Sequence, residues 1–149
     1  MIPVNVIDPL TGPFTITNLT VKSGKLYEGI ESLQNGERVY IDRSYTFKTV
    51  PGAITGATYI KTANNDKSST GNTFLSFTVD QPVTVYVGHD LRITNKPSWL
   101  NSFTPTGILL VTTDSSLELY SKSFPAGTIV LGGNDGAKKS MYSVVVTSP

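Results

Sequence analysis

Short runs of β-branched and aromatic residues recur along the chain, separated about every eight to twelve positions by Gly, Pro, Asn, Asp and Ser. This spacing suits antiparallel strands, because such side chains pack on a pleated, half-buried surface while the separators close turns. It predicts strands at Val4–Ile7, Phe14–Thr20, Leu26–Ile30, Val39–Ile41, Tyr45–Lys48 and Thr58–Thr62. Further strands are expected at Thr73–Val79, Val83–Gly88, Gly107–Thr112, Leu117–Ser123, Gly127–Leu131 and Met141–Thr147. Alternation puts Leu75, Phe77 and Val79 on one face and Val83, Val85 and Val87 on another, both pointing inward. Thr84 and Tyr86 then face away, which makes Tyr86 a candidate exposed platform.

No segment of about ten residues keeps apolar positions at helical spacing, so helix is limited to one or two short turns. Pro97–Asn101 is the best place for one, since Pro suits a first helical position. The expected fold is all-β: a two-sheet antiparallel β-sandwich, jelly-roll-like. Three longer loops stand out, Asn64–Asn72, Asp90–Thr106 and Gly132–Ser140.

Composition narrows the class without changing it. With 149 residues, 38% hydrophobic and 15% charged, the chain can bury one sizeable core, and a single domain over 1–149 is expected. A net charge of +1 with scattered basic residues offers no sustained phosphate-binding face, which argues against nucleic acid and suits an uncharged ligand. No apolar stretch reaches the roughly 18 residues that span a bilayer, so no membrane partner is expected. The absence of cysteine removes disulfides, thiolate metal sites and thiol nucleophiles. A monomer is expected, and the start at Met1 with no leader reads as an excised domain rather than a complete protein.

Catalytic patterns are scarce. The single histidine, His89, precedes Asp90, but neighbours on a strand point to opposite faces and cannot form a dyad. Asp42, Asp66, Asp80, Asp90, Asp114 and Asp135 are dispersed through turns, where turn chemistry alone explains them, although glycoside cleavage also uses paired carboxylates. The GGNDG run at Gly132–Gly136 lacks the Lys-Ser/Thr of a phosphate loop and reads as a plain turn. The run Asn64–Lys67 is compatible with a structural calcium ion as well as with an Asx-type turn; no other cofactor is implied. The chain is therefore expected not to be an enzyme.

A binding reading has more support. Sugar rings pair apolar C–H faces with a polar rim, so their sites combine an aromatic ring with a few hydrogen-bonding side chains. The sole tryptophan, Trp99, lies in a long loop with His89, Asp90, Arg92, Asn95 and Lys96 nearby in sequence. Against this, Trp99 and Leu100 could plug the end of the sandwich, and Arg92 could pair with Asp90 or Asp66. Tyr27, Tyr40, Tyr59, Tyr86 and Tyr120 are further aromatic candidates, each with core packing as the plainer role; Asn134 and Asp135 are weaker ones.

The segments RVYIDRSYTF, ATYIKTANNDK, FLSFTVDQPVTVYVGHDLRITNKPSWL, ELYSKSFPAGTIVLGGN and MYSVVV, spanning Arg38–Val146, resemble a module of extracellular polysaccharide-degrading enzymes. In that family it is a non-catalytic carbohydrate-binding β-sandwich, covalently linked to a catalytic domain. The resemblance implies a secreted accessory domain that binds a plant or algal cell-wall polysaccharide or oligosaccharide, such as a β-linked galactan, glucan or pectic glycan. Carried onto matching positions, it implies ligand contacts at Asn64, Asp66, Lys67, Arg92 and Trp99. A structural or adhesive spacer without a sugar site is the alternative.

Overall fold

The segment Ser143–Thr147, SVVVT, organises the molecule. All five of its residues are buried, and a strand buried on both faces must lie inside a sheet that is covered on both sides. The computed structural model describes residues 14–136 and 138–149, and there this segment is the last of ten strands. The others are β1 (Ile16–Val21), β2 (Glu28–Ile30), β3 (Phe47–Thr49), β4 (Thr58–Lys61) and β5 (Leu75–Val79). They continue with β6 (Val83–Asp90), β7 (Thr104–Thr112), β8 (Ser116–Phe124) and β9 (Gly127–Leu131), and Ser143–Thr147 is β10.

The strands form a seven-stranded sheet, ordered β2-β4-β10-β6-β8-β7-β3, and a three-stranded sheet, ordered β1-β5-β9. Every strand pair is antiparallel, and the all-β two-sheet architecture is the one the alternation predicts. In the small sheet Leu75 pairs with Leu131 and Phe77 with Ile129, and these four are buried with Val79 while Ser76 and Thr78 are only half-buried. On the large sheet Val85 pairs with Val146 and Val87 with Val144, so one continuous aliphatic surface supplies its inward face. Each such fully buried aliphatic side chain contributes about 1.5–3 kcal/mol.

The large sheet curls on itself, so residues from the two ends of its strand order meet. Consecutive strands β2 and β3 sit at its opposite edges, and the segment between them joins those edges. It carries Leu33, Val39 and Tyr40 into the core, and the Tyr59 hydroxyl anchors it by donating to the Arg38 carbonyl at 2.7 Å. Phe47 then packs edge-on against Tyr59, ring centroids 5.3 Å apart. The expected strand at Val39–Ile41 contributes only an isolated bridge at Tyr40, although Val39 and Tyr40 are buried in the core.

The expected strand Val4–Ile7 lies outside the described residues. Among the described residues helix amounts to three 3₁₀ turns, Gly52–Ile54, Asn64–Asp66 and Ser98–Ser102, one more than expected. The last follows Pro97, one residue later than the sequence suggests. Among the described residues no helix is long and apolar enough to cross a membrane.

Candidate functional site

All three long loops meet at one end of the sandwich. Gly133, Asp135 and Gly136 donate backbone N–H bonds to the carbonyls of Gly71, Ser69 and Lys67 at 2.8–3.0 Å, zipping the 132–136 loop along the 67–71 loop. The third loop joins through Trp99, whose Nε1–H donates to the Gly133 carbonyl at 2.8 Å. The glycines permit this approach. A Cβ at Gly133 would sit 2.4 Å from the Ser69 backbone, and one at Gly132 would sit 2.2 Å from the Trp99 ring. GGNDG is thus a packing hub as well as a turn, a role that single-sequence reasoning missed. Three glycines in five residues were the available signal, but the close approach they allow is to residues far away in sequence.

Asn134 is the centre of the hub. Its Nδ2 donates to the carbonyls of Lys67 and Ser140, both at 3.0 Å, and its own carbonyl receives His89 Nε2 at 2.9 Å. A carbonyl can only accept, so Nε2 carries the proton and Nδ1 accepts from the Lys96 ammonium at 3.0 Å. Lys96 is itself held by the Asp90 carbonyl and by Glu118, each at 3.0 Å. Burial, with Lys96 adding to it, lowers the His89 pKa to about 4. The ring is therefore neutral at neutral pH. His89 and Asp90 have separate partners on opposite faces of β6, as strand alternation requires.

Asp90 has no exposed surface, yet four donors surround its carboxylate. They are the Ser140 N–H at 2.8 Å, the Arg92 N–H at 2.9 Å, Arg92 Nε at 3.0 Å and Arg92 Nη2 at 2.7 Å. Burial pushes this carboxyl up, but the guanidinium and the two backbone N–H groups outweigh it and hold it below the usual carboxylate range. Arg92 also reaches Asp114 at 3.2 Å, so its planar head is engaged by two carboxylates.

These contacts decide where the sequence-derived site residues fall. Arg92 pairs with Asp90, Asp66 accepts from Ser23, Lys25 and Tyr27 at 2.6–3.0 Å, and Asn64 Oδ1 accepts from the Met141 N–H at 2.8 Å. All three brace loops. Lys67 is half-exposed beside Gly136, and Trp99 is half-buried, edge-on to Phe103 and Tyr142 at 5.9 and 5.7 Å. The structure thus gathers all five residues or their loops at one end but brings only Trp99 to a cleft wall.

The tyrosines divide in the same way. Tyr27, Tyr40 and Tyr59 are buried and donate to Asp66, Met141 and Arg38, whereas Tyr86 and Tyr120 are half-buried. The Asn64–Lys67 run, compatible by sequence with calcium, has protein partners of its own. The oxygens of Asn64, Asn65 and Asp66 accept from different protein donors instead of converging, and a calcium ion needs six to eight converging oxygens. Among the described residues no group of three His, Cys, Asp or Glu side chains could hold a metal ion.

Two adjoining clefts open at this end and share Asp135. One, about 180 Å³, is bounded by Thr70, Asn72, Ser98, Trp99 and Gly133. The other, about 430 Å³, is bounded by Ile93, Thr94, Asn95, Lys138 and Lys139. Asp135 itself is exposed in the left-handed region at φ 57°, a conformation Asp tolerates better than most residues. An indole edge, amides, hydroxyls, a carboxylate and ammonium groups thus line one continuous open surface. A separate depression on the outer face of the small sheet, lined by Thr20, Lys22, Phe74, Ser76 and Val130, has neither amide nor carboxylate. It offers a sugar fewer orienting groups.

No family model and no curated protein matches the sequence. Solved structures do. A beta-glucuronidase from glycoside hydrolase family 2 superposes with a TM-score of 0.80 at 22% identity, over 87% of this chain and 14% of that one. A GH138 enzyme targeting pectin rhamnogalacturonan II superposes with a TM-score of 0.61 at 16% identity, over 93% of this chain and 16% of that one. At these identities the likeness establishes a shared β-sandwich fold, and the chain spans about a seventh of either enzyme's length.

Proposed function

We propose that this domain is a non-catalytic accessory module of a larger, extracellular carbohydrate-active enzyme and holds that enzyme on a cell-wall polysaccharide. One observation carries the reading: nearly the whole chain superposes on a small part of a much longer glycoside hydrolase. The second structural neighbour is an enzyme targeting a pectic polymer, which favours plant or algal glycans of the galactan, glucan or pectic kind. The open surface that runs from Trp99 past Asp135 to Lys139 supplies the pairing of aromatic and polar groups that a pyranose needs. Affinity in the millimolar to micromolar range is expected, roughly 4 to 8 kcal/mol.

Native gel electrophoresis through dissolved polysaccharides tests this. Wild-type protein should be retarded in at least one gel, and Trp99→Ala and the exposed-site variant Asn72→Ala should each lose retardation. Retention by both variants would move the site off these clefts. A purely structural spacer gains support from Asn64, Asp66 and Arg92, whose polar atoms bond inward. A glycan array without any signal would favour the spacer, and release of reducing ends from any polymer would overturn the non-catalytic reading.

A further inference from the structure

A net charge of +1 describes the whole chain and conceals a local imbalance. At the loop end most charges are neutralised in place: Arg92 by Asp90 and Asp114, Lys96 by Glu118, and Lys25 by Asp66. Lys67, Lys138 and Lys139 have no carboxylate within ion-pair distance among the described residues. All three cluster around Gly136, which donates to the Lys67 carbonyl and accepts from the Lys139 N–H, each at 3.0 Å. The larger cleft there has one acidic side chain on its wall, Asp135, against the two lysines 138 and 139.

Unpaired ammonium groups around a concavity create a positive local potential, and a neutral ligand would leave it unused. The remaining lining is what a sugar ring requires: the aliphatic Ile93, and the hydroxyl and amide of Thr94 and Asn95. We propose that this cleft binds an anionic stretch of glycan, with its acidic group held by Lys138 and Lys139 while Asp135 accepts hydroxyl hydrogens from the ring. The proposal rests on the sugar-binding reading and names the ligand class within it. An ammonium is a point charge without the guanidinium's two-pronged geometry, so it serves a carboxylate or a sulfate equally.

The test is native gel electrophoresis in four polymers: polygalacturonate, which carries carboxylates; carrageenan, which carries sulfates; neutral galactan; and neutral β-glucan. Retardation is expected in at least one acidic gel and should fall as salt rises from about 50 to about 500 mM, because the contacts are exposed. The double variant K138Q/K139Q should bind about tenfold more weakly, the loss of two exposed charge contacts, whereas K48Q on β3 should bind like wild type. Retardation by only one acidic polymer supports the proposal and identifies the acidic group. Retardation by neutral polymers alone, or equal retardation of K138Q/K139Q and wild type, overturns the anionic assignment and leaves the module reading intact. No retardation in any of the four removes the sugar-binding reading itself.

Discussion

Val145 in the middle of the large sheet and Asp90 at its loop end are both without exposed surface, yet they are held in unrelated ways. Val145 lies between Tyr59 and Tyr86 on the adjacent strands, makes no side-chain hydrogen bond and depends on volume. Asp90 depends on four donors at specified positions. The strand core therefore tolerates any residue of similar size and polarity, and the loop end tolerates only residues with the same hydrogen-bonding capacity.

Shape-conserving substitutions separate the two regimes and carry the largest expected effect. Asp90→Asn keeps the outline of the side chain but turns one acceptor into a donor that faces the Ser140 N–H or Arg92, and it removes the buried member of the Asp90–Arg92 ion pair. A loss of about 3 kcal/mol is expected by urea denaturation. The corresponding core substitution, Leu75→Met, should cost about 1 kcal/mol or less. Equal losses would show that the loop end is held by packing after all.

The same contrast explains what could be read from the sequence. Inward positions on β5 and β6 follow from alternation alone, and β9 was located to the residue at Gly127–Leu131, because burial on one face imposes period two on the chain. Nothing local distinguishes Asn134 from any other loop asparagine. Its partners lie at Lys67, His89 and Ser140, and no spacing rule links those positions. The resemblance-derived residues lie on loops that converge, a meeting no spacing rule announces: Asn64 and Asp66 bond inward, while Arg92 stays at the surface and ties Asp90 to Asp114. Val39–Ile41 fails for a related reason: Val39 and Tyr40 are buried as strand residues would be, but the segment forms only an isolated bridge to a partner distant in sequence.

A second effect, of intermediate size, depends on pH and belongs to the loop end alone. His89 takes up a proton near pH 6.5 when unfolded but only near pH 4 when folded, where burial, with Lys96 adding to it, opposes protonation and the Asn134 carbonyl, Asp90 and Glu118 partly offset it. Because the folded pKa is the lower one, stability is fully present above pH 6.5 and is lost as pH falls toward 4. By pH 5 the loss is about 2 kcal/mol relative to pH 8. His89 is the only histidine in the chain, so His89→Gln should abolish the slope between pH 8 and 5, while Leu75→Met leaves it unchanged. A slope that survives His89→Gln would assign the titration elsewhere.

Trp99→Phe tests the comparison at its weakest point, where the braced loop end becomes the open surface. The substitution keeps an aromatic ring against Phe103 and Tyr142 and removes only the donor to the Gly133 carbonyl. Gly133 lies on the wall of the smaller cleft, so water can replace the lost donor, and the cost should be about 1 kcal/mol. A cost of about 3 kcal/mol would place Trp99 with Asp90 among the strictly paired groups. With the small cost, a folded Trp99→Phe protein remains for the retardation assay, and weaker retention would then report lost indole contact area rather than a disordered loop, because the 132–136 zipper to Ser69 and Lys67 does not involve the indole.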